Sequence, residues 1–88
     1  MNTGLMDGEL ANIVGFLGSG LMVIAYAYSN WAKQINFALF NWLNLVGSLL
    51  LIASLTVHFN MASMALEIVW ALIALIGLAR LWFRSSKA

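Results

Sequence analysis

The sequence predicts an all-α fold: one integral-membrane three-helix bundle spanning 1–88, N-terminus out and C-terminus in, built to self-associate. Three observations predict it. Hydrophobic residues make up 64% of the 88 and charged residues 8%, against roughly 25% charged in soluble globular proteins, so the chain has too little polar surface to stay in water. The apolar residues fall into three runs, each close to the ~20 residues that carry a helix across a hydrocarbon core of about 30 Å. Only two short connectors, NWAKQIN and HFNMA, separate them, which makes successive helices antiparallel neighbours. No proline occurs, so no span carries a proline kink.

The first span is placed at 11–29, ANIVGFLGSGLMVIAYAYS. The segment before it, MNTGLMDGEL, has only acidic side-chain charge, which does not fit the positively charged start of a cleavable secretory signal. At 100° per residue, Asn12, Gly15, Ser19, Met22 and Tyr26 share one stripe. Gly15 and Ser19, four apart, form the small-residue pair that lets helices approach closely. A close contact is expected there, within or between subunits.

The second span, 37–57, gathers Asn41, Asn44, Gly47, Ser48, Ser54 and His58 in one broad arc. An interhelical hydrogen bond in a membrane contributes only about 0.6–2 kcal/mol, and one or two suffice for packing. This arc carries more than that, which leaves room for a polar cavity. The third span, 63–83, aligns Ser63, Glu67, Trp70, Ala74 and Gly77 on one face. Leu66, Val69, Leu72, Ile73 and Ile76 lie on the other, which suits lipid tails. Gly15, Ser19, Gly47 and Gly77 are the expected packing positions.

Charge sets the orientation. Lys33 lies in the first connector, and Arg80, Arg84 and Lys87 lie at the end of the third span. Three spans put those two regions on one side, and the positive-inside rule makes that side cytoplasmic. The expected location is the bacterial inner membrane, with the N-terminus periplasmic.

Function is expected at Glu67, an acid inside ALEIVWALIALIG. Intramembrane acids are costly and mark substrate, ion or proton sites by default. Ser54 and Asn12 are the expected hydrogen-bond partners at its depth, and His58 is the nearest basic side chain. The bland alternative is a protonated structural carboxyl bonded to Ser54 or Asn12. Asn44 and Trp70 fall near mid-span, a pair suited to a polyol that bonds at its edges and stacks on its apolar face. One histidine, no cysteine and few acids give no metal-ligand set. No catalytic set, cofactor motif or basic nucleic-acid run is present, so neither enzyme activity nor a cofactor is expected.

Three spans in under 90 residues, with an interior Asn44 and Trp70, resemble the SemiSWEET sugar transporters in layout. That resemblance implies three-helix units that dimerise around one substrate path. SemiSWEETs carry a Pro-Gln pair in the first span, which this chain lacks, and Glu67 is foreign to their pattern. The series Gly15, Gly18, Ala25-Tyr26, Asn44, Gly47, Ser54-Leu55, Asn60, Ser63, Glu67 and Trp70 is also similar to a group of small bacterial membrane proteins sometimes labelled permeases. The expected function is a small-solute carrier, a homodimer with Glu67 as its proton or cation site. The alternative is an accessory subunit of a larger membrane complex, its polar seams serving as docking faces.

Overall fold

The computed structural model describes residues 7–87, with side chains to Arg84. The side chain of Lys87, counted among the orienting cations, lies outside the described residues. The chain forms three helices, α1 (Gly8–Trp31), α2 (Phe37–Leu55) and α3 (Met61–Lys87). Each is long and apolar enough to cross a membrane.

Short polar side chains start each helix by accepting hydrogen bonds from otherwise unpartnered first-turn N–H groups. Asp7 accepts from the Leu10 N–H at 2.8 Å, Asn36 from Leu39 at 3.2 Å and Asn60 from Ser63 at 3.0 Å. The first connector is drawn tight by the Tyr28 hydroxyl, which accepts from the Asn36 N–H at 2.8 Å. At the opposite end, His58 Nε2 lies 3.1 Å from the Gly8 carbonyl oxygen and ties the end of α2 to the first turn of α1.

α2 is the middle helix. α1 and α3 each pack on α2 and not on each other. The row of α2 that meets α3 contains Asn41 and Ser48; the row that meets α1 contains Gly47 and Ser54. At 100° per residue these rows are about 120° apart. The three helices therefore form an open crease around α2 rather than a closed triangle.

The interior is small and polar, and the exterior is large and apolar. Buried positions are Ala11, Gly18, Ala25, Asn44, Leu45, Gly47, Ser48, Ser54, Glu67, Ala71 and Ala74. Phe16, at 77% exposed, and Leu17, Val23, Ile24, Leu72, Ile73 and Ile76 point outward. Water would reverse this arrangement, because apolar burial drives folding there. In lipid no hydrophobic force pulls helices together, and close backbone approach through small residues takes over.

The α1–α2 contact is a close backbone approach of this kind. Gly18 and Gly47 meet back to back. A Cβ added at Gly18 would lie 2.7 Å from the Gly47 carbonyl oxygen, and one at Gly47 would lie 2.9 Å from the Gly18 carbonyl oxygen. Gly15 sits against Ser54, whose Oγ would be 2.8 Å from an added Cβ. Ser19 is exposed, so within one chain the residue at the crossing is Gly18. Gly77 of α3 accommodates the Asn41 amide, whose Oδ1 would lie 2.6 Å from a Cβ there.

A candidate polar site between α2 and α3

Two polar pairs lie along the α2–α3 seam. The first is Asn44 with Trp70. The Trp70 indole N–H donates to Asn44 Oδ1 at 3.0 Å, and Asn44 Nδ2 donates to the Phe40 carbonyl at 2.9 Å. Asn44 is 8% exposed and Trp70 42%, so the amide forms the floor and the indole one wall. With Phe40, Asn41, Ile73 and Ala74 they line an open cleft of about 80 Å³. Asn44 keeps one N–H and one acceptor lone pair for another group.

The second pair is Ser48 with Glu67, one helical turn further along. Ser48 is fully buried and Glu67 is 9% exposed. The Ser48 hydroxyl is the hydrogen-bond partner within reach of the Glu67 carboxyl, although its geometry is poor and leaves Glu67 Oε1 without a well-formed bond. Native proteins pair the large majority of their buried polar side-chain atoms. The two groups therefore count as each other's partner on this seam.

The expected partners of Glu67 need correction. Ser54 is buried, but its Oγ donates to the Ala11 carbonyl of α1 at 2.7 Å. Asn12 lines a separate groove of about 210 Å³ with Gly15, Phe16, Ser19, Leu51 and Ser54. The error is one of register. The second helix ends at Leu55 and the third starts at Met61, two residues earlier in each case than the expected span edges. That slides Glu67 toward Ser48. Ser54 is six residues beyond Ser48, about 9 Å along the helix and about 120° around it, on the face that meets α1. His58 is exposed at the far end of α2, ten residues and on the order of 15 Å from Ser48 by helix rise. Of the five candidate site residues, the fold thus brings together Asn44, Trp70 and Glu67. It assigns Ser54 and His58 to the α1 contact. Ser48 joins the site; counting helix turns from an Asn60 cap is the signal that finds it.

A family model spans residues 11–85. The chain belongs to that family, an uncharacterised one of bacterial type. No curated protein and no solved structure matches. Among the described residues, no group of three or more histidine, cysteine, aspartate or glutamate side chains could hold a metal ion.

Proposed function

We propose that the protein is a three-span carrier of a small solute in the bacterial inner membrane, working as a homodimer with Glu67 as its proton-coupling group. The observation that carries the reading is a buried carboxyl, Glu67, set beside the buried Ser48 hydroxyl one helical turn from the Asn44–Trp70 cleft. A seam used only for packing needs no carboxyl, which costs more to bury than an apolar side chain in the same place; an acid inside a span is by default a substrate, ion or proton site.

Asn44 and Trp70 are the solute-binding pair in this reading, one helical turn from Glu67. Their cleft of about 80 Å³ is smaller than the ~300–1,000 Å³ of small-molecule sites. A second copy facing the crease would enlarge and close it, which is why the reading requires a dimer. The half-transporter layout of SemiSWEETs supports the same assembly by analogy alone. Lys33, Arg80 and Arg84 support a cytoplasmic C-terminus by the positive-inside rule.

The absence of α1–α3 packing favours a second reading. An incomplete three-helix set with many exposed apolar side chains also suits an accessory subunit docked into a larger complex. One experiment separates them. Protein purified from native membranes and reconstituted in liposomes should be a homo-oligomer. It should couple an inward proton flux to a solute gradient, and Glu67→Gln should fold and abolish the coupling. Co-purification with unrelated large subunits, with no flux of its own, replaces the carrier with the accessory role.

A further inference from the structure

A second cleft lies at the other end of the α2–α3 seam. It holds about 190 Å³ and is lined by Phe37, Asn41, Gly77, Arg80, Leu81 and Arg84. Arg80 and Arg84 are four residues apart, so both rise from one helix face. Among the described residues neither has a carboxylate to pair with. Asp7 and Glu9 are at the start of α1, at the opposite end of the molecule. Glu67 precedes Arg80 by thirteen residues, about 20 Å of helix.

Gly77 gives this cleft its third polar group. Lacking a side chain, it lets the Asn41 amide lie directly on α3, one turn before Arg80. One Asn41 N–H donates to the Phe37 carbonyl at 2.9 Å, and the other remains available. Two guanidiniums and an amide N–H thus converge beside two apolar walls, Phe37 and Leu81. Guanidinium forks match phosphate oxygens in pairs, and the apolar walls match the glycerol and first methylenes of a lipid.

We propose that this cleft binds the phosphate headgroup of an acidic phospholipid. The inference needs only that the helices cross a membrane and does not depend on transport. Its position fits: the apolar length of α3 ends in these arginines, at the level where a helix leaves the hydrocarbon. The exposed surface beside the cleft carries Ile73 and Ile76, along which an acyl chain lies. Basic pockets between spanning helices are known to hold acidic headgroups.

Lipid retention in detergent tests this. Purified, delipidated protein is mixed with phosphatidylglycerol or phosphatidylcholine, and bound lipid is counted by native mass spectrometry. The parent should retain phosphatidylglycerol preferentially. Each lost arginine should weaken retention about fivefold, since a basic group at an acidic surface contributes about 1 kcal/mol. Arg80→Gln/Arg84→Gln should therefore lose most of it, and Asn41→Ala, which keeps the charge, should weaken it measurably. Lys33→Gln removes a cation from the same end but not from this cleft, and should leave retention unchanged. Equal loss in Lys33→Gln would overturn the site in favour of diffuse surface charge. Equal retention of phosphatidylcholine would overturn the headgroup assignment. Saturable binding of inorganic phosphate to the delipidated protein that phosphatidylglycerol does not displace would make it a site for free anion. Should the double arginine variant fail to fold, Asn41→Ala and Arg80→Lys/Arg84→Lys decide the question alone.

Discussion

Replacing Gly18 by alanine adds one methyl group at the tightest point of the α1–α2 crossing. That Cβ would lie 2.7 Å from the Gly47 carbonyl oxygen, 3.0 Å from Leu50 Cβ and 3.1 Å from Leu51 Cγ. Cβ contacts under 3.0 Å are essentially never seen, so the backbones must part by at least 0.3 Å, the difference between 3.0 and 2.7 Å. The carbonyl is backbone and cannot rotate away. Both the Ala11–Ser54 bond and the Gly15–Ser54 contact lie on the same seam and loosen with it. Overpacking of this kind costs about 1–3 kcal/mol. Gly20 supplies the control, because nothing lies within 4 Å of a Cβ built there. Gly20→Ala should be neutral or stabilising by up to about 1 kcal/mol, through the entropy glycine retains in the unfolded chain. The assay is equilibrium unfolding of both variants in the same detergent, followed by tryptophan fluorescence. Equal stabilities for Gly18→Ala and Gly20→Ala would refute the crossing geometry.

Other outcomes follow from single contacts. Ser54→Ala removes the 2.7 Å bond to the Ala11 carbonyl and should lower stability by about 0.5–1.5 kcal/mol, measurable in the same unfolding assay. Trp70→Phe keeps the ring wall but removes the donor to Asn44; solute affinity and a similar increment of stability should fall together. Ser48→Ala removes the hydroxyl beside the Glu67 carboxyl; it should lower stability by about 1 kcal/mol or less and change the pH profile of uptake. A cytoplasm-only reporter fused at residue 1 should be silent and one at residue 88 active; the reverse pattern would invert the proposed orientation.

The fold was readable because length and composition dictate it. Three runs near 20 residues and two connectors leave few arrangements, and helical periodicity places Leu66, Val69, Leu72, Ile73 and Ile76 on the outward face of α3, where all are exposed. Registry was harder. A window of apolar residues marks where a helix can run, whereas Asn36 and Asn60 mark where it starts. Counted from the Asn60 cap, Glu67 falls against Ser48; counted from the apolar window, it falls against Ser54. The close contact expected at Gly15 is present, against Ser54, while Ser19 is exposed in the single chain. The seven-residue series Ala11, Gly18 and Ala25, all buried, marks the length of that seam. Seven residues return a helix to nearly the same face, so the run of small residues was present in the sequence. That α2 lies between α1 and α3 was not legible, since short connectors constrain sequence neighbours and leave the α1–α3 relation open.

In the proposed carrier, two copies of this chain complete the polar crease around Asn44, Trp70 and Glu67. Native mass spectrometry of the protein extracted from its own membrane reads that assembly. One dominant species of two 9.6 kDa chains with bound lipid is expected, weakened by Ser19→Leu or Asn12→Leu on the open face of α1. A single copy held in an assembly of unrelated larger subunits would contradict it.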